Sequence, residues 1–469
     1  MFKMIVDSIV RWVGCGRPQG RFIAEPPAGS RTSGRNLQNK LKQIPVPECM
    51  QGDAARAYKL GRDNAALFVL FVIYGIEKCQ ECGCSAIWYF TREGEFFHAL
   101  HRRIAEAGLG GGQLPRANLL EVSRLTTFGP ALGNLSIMGM RRVWSQYRVQ
   151  SVNAMLKTLG VASIALDEIV RRHGLDPDEA VTDPWLDRRV CALFADSDFT
   201  GQVDGVLQKN RNDLLAYLQE KGFAEEAGVE RFVVDIGWRG TIQDNIAHLY
   251  PGLRVHGLYL GMQSLLNEQP ENVRKYVFGP DLNAQGYAAR RLLEPMLFFE
   301  TLCNSPAGTT TGYARRGETI VALRHKEPSE DAVFNSFTQF FQNGVLDAVS
   351  TVCEFLDTLN LTAKDLRFEA LHLMDSLVFE PNATLAKTYF TLNRNETFGT
   401  GDFFRIPGTF PYGLFFFGLF SSVKRTEYYN ALQRSGWPQG LLAANGLRGL
   451  IPLYNYFDLH RQKYKSPEN

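Results

Sequence analysis

The segment from Arg231 to Leu249, RFVVDIGWRGTIQDNIAHL, constrains the fold of this chain more than any other. Phe232, Val233 and Val234 form a short apolar run of the kind that a parallel strand buries on both faces, and Asp235 ends it. Gly237 and Gly240 allow a tight turn, Thr241 can cap the next element, and Ile242, Ile246 and Leu249 recur at the spacing of a helix face. The reading is strand, glycine turn, helix. The unpaired amides of that first helical turn would face whatever lies over Asp235, and such a turn favours anions, phosphate above all. A P-loop would carry Lys where this chain has Gly240, and the G-x-G-x-x-G spacing of a dinucleotide fingerprint is missing. A plain strand-to-helix turn with a capping Thr is the other reading of these residues.

The same grammar recurs. Ile87 to Phe90 (IWYF) is an apolar run followed by the polar turn Thr91-Arg92-Glu93-Gly94 and by Phe96, Phe97, Leu100 and Ile104 on helical spacing. Leu119, Leu120 and Val122 make a third run, ending in Ser123-Arg124, and Val255 to Leu260 (VHGLYL) a fourth. Strands separated by helices predict an α/β fold: a parallel sheet with helices on both faces and right-handed crossovers. Ligands of such sheets bind outside the carboxyl ends of the strands, where Arg92, Glu93, Ser123, Arg124 and Asp235 converge if these strands are neighbours.

Two arginines, an acid and a glycine turn suit a phosphorylated or otherwise anionic sugar-like ligand, because guanidinium binds phosphate in a forked geometry. In that reading Arg92 and Arg124 clamp phosphate, with Ser123 and Arg239 beside them. The turn Gly237, Arg239, Gly240, Thr241 stabilises developing charge through its amides, and Asp235 binds a sugar hydroxyl or serves as base. Glu93 is the alternative base. Glu294 and Glu300 flank the LLEPMLFFE stretch, and Glu300 is counted as completing the pocket. Each acid can instead orient an arginine, and Arg92 with Glu93 can be an ordinary ion pair.

Composition bounds the remaining classes. With 469 residues and 45% hydrophobic content the chain can bury a substantial core in two or three structural units. A formal net charge of +2 gives no global basic field for nucleic acid. Eight cysteines in a chain this long do not read as a disulfide framework, so a reducing cytoplasm is the expected compartment. Cys79, Cys82 and Cys84 cluster, but no second paired motif completes a zinc set, so no metal is assigned; the identity of any cofactor stays open.

Met1 to Gly16 reads as neither signal peptide nor membrane span, and a short amphipathic surface helix is its other reading. Tyr412 to Val423 (YGLFFFGLFSSV) is far shorter than the roughly 20 residues of a spanning helix. It reads as core or as an interface facing a membrane-bound partner, which would make the protein peripheral to an inner membrane. Along the chain we expect a flexible lead over 1–53, an α/β core over 54–325 with a helical insertion at about 135–228, and a mainly helical region over 326–469 that ends in a polar tail. Within the insertion, helical patterns cover Val152 to Leu159, Ala165 to His173 and Gln202 to Lys221.

YFTREGEFF at Tyr89 to Phe97, the Ser123-Arg124 pair, VVDIGWRGTIQ at Val233 to Gln243 and FETLCNSPAGTTTGY at Phe299 to Tyr313 carry a family resemblance. They resemble the carboxyl-terminal module of large bacterial proteins encoded among glycosyltransferases in capsule and O-antigen clusters, sometimes fused to glycosyltransferase domains and often labelled haloacid dehalogenase-like hydrolases. The resemblance covers about residues 55 to 325. The hydrolase label rests on an amino-terminal D-x-D-x-T-type motif, and nothing like it precedes Ile87. Glu354 to Leu359 (EFLDTL) lacks its first aspartate. The sequence is also similar, more weakly, to type I phosphoribosyltransferases, whose phosphate loop follows a strand ending in two acids; here Asp235 is followed by Ile236. These resemblances imply a phosphoribosyltransferase-like or Rossmann-like sheet. They further imply a role in surface polysaccharide synthesis on a sugar-phosphate or nucleotide-sugar substrate, as a transferase or as a non-catalytic module that binds precursors or scaffolds glycosyltransferases.

Overall fold

Five short runs of the chain become one parallel sheet: β1 (Ala86–Phe90), β2 (Arg116–Leu120), β3 (Glu230–Asp235), β4 (Arg254–Tyr259) and β5 (Val273–Val277). The computed structural model describes residues 28–161, 166–224, 229–285, 287–395, 403–405 and 407–463. Across the sheet the order is β2, β1, β3, β4, β5, with every neighbouring pair parallel. Ile87 lies opposite Phe232 and Tyr89 opposite Val234. From β1 the chain steps outward to β2, then returns past β1 to build the other half. The order therefore reverses between β1 and β3, and the crevice at their carboxyl ends is the topological switch point of the sheet.

Alternating side chains give the sheet two buried faces. Ile87, Tyr89, Phe232, Val234 and Leu258 pack into one core with helices Ala65–Glu81 and Gly94–Glu106. Trp88, Phe90, Leu120, Val233 and Val255 pack into another with helices Ser197–Glu220 and Thr241–Leu249. The Ala65–Glu81 helix is apolar almost all round because it lies between the sheet and the carboxyl-terminal helices. Phe68 and Phe71 share their cluster with Phe341, Val349, Leu366 and Trp437, so residues on both sides of position 325 build one core. Each such buried aromatic contributes roughly 1.5–3 kcal/mol by burial alone.

Between β2 and β3 the chain forms a helical insertion with a hydrophobic core of its own, which includes Phe128, Met140, Trp144, Leu156, Val170, Leu193 and Phe199. The three helical patterns expected there appear as Val152–Thr158, Asp167–Arg172 and Ser197–Glu220. Beyond the sheet, an antiparallel hairpin pairs Thr309–Arg316 with Thr319–His325, and helices follow from Pro328 onward.

Several expectations need correction. The lead is not featureless over its described part: Ala28–Gln43 is a helix, and Leu37 and Leu41 bury themselves in the main core. Those two apolar residues at i, i+4 are the entire signal in an otherwise polar stretch. Strand β2 ends at Leu120, so Val122 of the expected apolar run lies beyond it. Strand β5 and the 309–325 hairpin have no counterpart in the sequence reading, because Arg274 and Lys275 interrupt the apolar pattern of an edge strand. The Met1 to Gly16 segment, the first part of the lead and the last residues of the tail lie outside the described residues. Among the described residues no helix is long and apolar enough to cross a membrane.

Candidate functional site

Two turns meet at the switch point. The first leaves β1 through Thr91, Arg92 and Glu93 into helix Gly94–Glu106; the second leaves β3 after Asp235 through Gly237 to Gly240 into helix Thr241–Leu249. Each contains a cis peptide bond, Thr91–Arg92 in one and Gly237–Trp238 in the other. Gly237 has φ 149°, and a Cβ there would stand 2.6 Å from the carbonyl oxygen of Gly261. Gly240 has φ 69°, where glycine is favoured, and its Cβ would stand 2.7 Å from both the Tyr259 hydroxyl and Lys275 Cε. Backbone crowding demands glycine at Gly237, and the left-handed φ favours it at Gly240.

Asp235 and Glu93 are both buried at this crevice. The Asp235 carboxylate accepts a 2.8 Å hydrogen bond from the Ile236 amide. Burial, reinforced by the charge of Glu93, pushes its pKa up to about 8, against the opposing pull of the Ile236 amide and Arg124. Burial also raises the Glu93 carboxyl, while Arg92 draws it back. Arg92 Nη2 lies 2.6 Å from Glu93, 3.7 Å from Glu300 and, through Nη1, 3.2 Å from Glu330. Burial acts against its charge, but Glu93, Glu330 and Glu300 together hold the guanidinium firmly protonated. Trp238 Nε1 donates to Glu300 at 2.8 Å and so ties the second turn to the first.

A basic side faces this acidic one. Arg124, the first residue of helix Arg124–Leu132, is exposed and acts electrostatically on both Asp235 and Arg239. Burial lowers the Arg239 pKa, and the neighbouring Arg124 charge lowers it further. Arg239, Thr241, Arg142 and Asp244 line a cleft beside the turn, closed on its far side by Asn267 and Gln269. Lys275 Nζ stands 2.7 Å from Asp244 and donates to the Arg239 carbonyl at 3.0 Å, so a largely buried ion pair props the turn from behind. Two buried polar atoms at this edge, Thr91 Oγ1 and Arg239 Nε, have no hydrogen-bond partner among the described residues. Buried polar groups are nearly always satisfied, so these two are exceptions at this edge.

The structure therefore brings together Asp235, Glu93, Arg92, Arg124 and Glu300, with Gly237, Arg239, Gly240 and Thr241 along the adjoining turn. Four assignments change. Arg92 is enclosed by three carboxylates, not open to clamp phosphate, because the fold returns Glu300 and Glu330 to it. Ser123 is a helix cap: its Oγ accepts from the Thr126 amide at 3.1 Å and donates to the Thr310 carbonyl at 2.7 Å. Thr241 is the first helical residue, and Gly240 occupies the cap position without a side-chain cap bond. Glu294 lies with Arg291 and Asp458, not with Asp235.

Other members were not legible in advance. Glu330 comes from helix Pro328–Val333, past the expected core boundary, and no local pattern announces it. Trp238 and Lys275 sit in or against the glycine turn, and Trp238 at least belongs to the motif that singled the turn out. Arg324 joins Glu95 and Glu121 at 2.7 Å each, fastening the 309–325 hairpin to the carboxyl ends of β1 and β2. Among the described residues no group of three His, Cys, Asp or Glu side chains is arranged to hold a metal ion.

In chemical terms the crevice has two halves. On one side a carboxyl that keeps its proton near neutrality can give or take it. On the other, Arg124, Arg239 and a helix amino terminus offer positive potential to an anion. No protein-family model matches the sequence, and no curated protein matches it either.

Proposed function

We propose that this protein transfers a group to or from a phosphorylated sugar or nucleotide-sugar type substrate in the synthesis of a surface polysaccharide such as capsule, O-antigen or exopolysaccharide. The observation that carries this reading is Asp235, a buried carboxyl at the switch point with a pKa of about 8, within the field of Arg124, whose charge also acts on Arg239 of the glycine turn. The anionic part of the substrate lies along Arg124, Arg239 and the Thr241–Leu249 amino terminus. An acceptor then presents a hydroxyl to Asp235, which takes its proton as that oxygen bonds to the anomeric carbon of the substrate and the bond from that carbon to the phosphate oxygen breaks, the phosphate leaving with its charge held along the two arginines; Glu93, one strand away, is the second carboxyl able to hold the proton. The resemblance of the two turns to modules encoded among glycosyltransferases supports the pathway. Glycosyltransferases or membrane-associated assembly machinery are the proposed partners, and the proposed location is the cytoplasm, at the periphery of the inner membrane.

One observation favours a non-catalytic reading. Arg92 is committed to three carboxylates, an arrangement that a scaffold or precursor-binding module would keep for rigidity alone. Purified protein incubated with panels of sugar phosphates and nucleotide sugars, with products resolved by mass, separates the two. Turnover of one class supports the transferase; saturable binding without turnover supports the module.

A further inference from the structure

Apart from Tyr456 and Phe457 on the last helix, the large exposed apolar side chains after residue 400 collect around one turn. Helix Tyr412–Gly418 runs into helix Ser422–Gln433, and at the bend Phe417 is 65% exposed, Leu419 48%, Phe420 89% and Val423 65%. The bend is not loose. Arg425 Nε donates to the Gly418 carbonyl at 3.1 Å, and Tyr428 packs its ring on Phe410 and Phe415 beneath the tip. Tyr429 donates to Asp458, which forms a fully buried 2.7 Å ion pair with Arg291. A rigid base thus holds the apolar tip out from the protein.

We infer that this tip inserts into the interface of a membrane carrying anionic lipid. Its charge fits that occupant: from Pro411 to Arg434 the chain has Lys424, Arg425 and Arg434 against Glu427 alone, and all three cations are exposed. Lys424 reaches Glu427 at 2.9 Å, but an exposed pair of this kind holds its lysine weakly. Phenylalanine and leucine enter the boundary between headgroups and acyl chains, and basic residues beside them reach lipid phosphate. The area argues against a second copy of the chain. Four side chains of this size present on the order of 500 Å², whereas stable protein pairs bury about 800 Å² per partner. Helices of this length cannot span a bilayer, so the contact is interfacial. The inference rests on the membrane-peripheral placement proposed above and not on the reaction, so vesicle binding and turnover can fail separately.

The test is co-sedimentation of the full chain with phosphatidylcholine vesicles, with and without phosphatidylglycerol. The protein should bind the anionic vesicles and bind the neutral ones roughly tenfold less well. Phe417→Ser with Phe420→Ser should lower binding to anionic vesicles at least about tenfold at an unchanged melting temperature. Lys424→Glu with Arg434→Glu should remove the preference for phosphatidylglycerol while leaving the Arg425 bond to Gly418 in place, and keeps the test decisive if the serine variant misfolds. Failure to bind either vesicle, or equal binding by both variants and the native chain, would overturn the inference. So would a native dimer in sedimentation velocity that the serine variant converts to monomer.

Discussion

Asp235 at the end of β3 and Glu93 just past the end of the adjacent strand β1 are buried together, and burial first, reinforced by the Glu93 charge, raises the proton affinity of Asp235 so that it keeps its proton close to neutral pH. The relationship follows from topology. Both residues leave the carboxyl ends of neighbouring parallel strands at the point where the strand order reverses, and both are buried there.

The pair makes stability depend on pH with a definite sign. Native Asp235 binds its proton up to about pH 8, whereas the unfolded chain releases it near its ordinary value of 3.8. The native state therefore holds more protons across that window, and stability is lost as pH rises from about 4 to about 8. Asp235→Asn, which cannot ionise, should escape the loss and be more stable than the native protein by about 1 kcal/mol or more at pH 8. Urea denaturation at pH 5 and pH 8 checks this. An advantage for the variant that does not grow with pH would place the ionisation elsewhere.

Arg92 offers a second handle. Three carboxylates enclose its guanidinium and their charge opposes any anionic ligand in the crevice. Glu330→Gln removes one of them without moving Glu93 or Glu300, so affinity for inorganic phosphate or a sugar phosphate should rise about tenfold, or about 1.4 kcal/mol. Calorimetric titration measures it directly. Equal affinity in the two proteins would make Arg92 a purely structural ion.

At Gly240 the backbone is left-handed and a side chain would press on Tyr259 and Lys275. Gly240→Val would force a β-branched residue into the left-handed region and against Tyr259 and Lys275, at a cost of about 2–4 kcal/mol. Displacement of Lys275 would also withdraw its bond to the Arg239 carbonyl, so anion binding should fall together with stability. A denaturation midpoint equal to that of the native protein would show the turn to be more plastic than its geometry implies.

Behind that turn, Asp244→Ala would leave the Lys275 ammonium largely buried without its carboxylate. Such uncompensated charges cost about 3–5 kcal/mol, and replacing both partners with apolar residues of similar volume should recover most of the loss. Thermal denaturation of the single and double variants tests the coupling. Equal stability of both variants would show that the pair does not act as a unit.

The elements legible in the sequence were those whose signal is local. IWYF and FVVD are continuous apolar runs because parallel strands are buried on both faces, and the glycine spacing after Asp235 marks a turn that backbone sterics demand. Strand β5 was hidden because an edge strand can carry Arg274 and Lys275, and helix Ala28–Gln43 because only Leu37 and Leu41 anchor its polar face. Ser123 shows a different limit. A serine at a strand end suits a ligand and a helix cap equally well, and only the Thr126 amide and the Thr310 carbonyl decide between them. Glu330 shows a third. It reaches Arg92 through a long-range fold-back, for which no periodicity or spacing exists to be read.

The most direct measurement is turnover by Asp235→Asn across pH, on whichever sugar-phosphate or nucleotide-sugar substrate the native protein uses. The substitution keeps the shape of the side chain and removes its charge, so folding should be intact or improved while kcat falls by about a hundredfold or more. In the native protein the rate should rise with pH through an inflection near 8, as Asp235 becomes free to accept a proton. Full turnover by Asp235→Asn, with the same pH profile as the native protein, would contradict the account and leave Asp235 a structural acid.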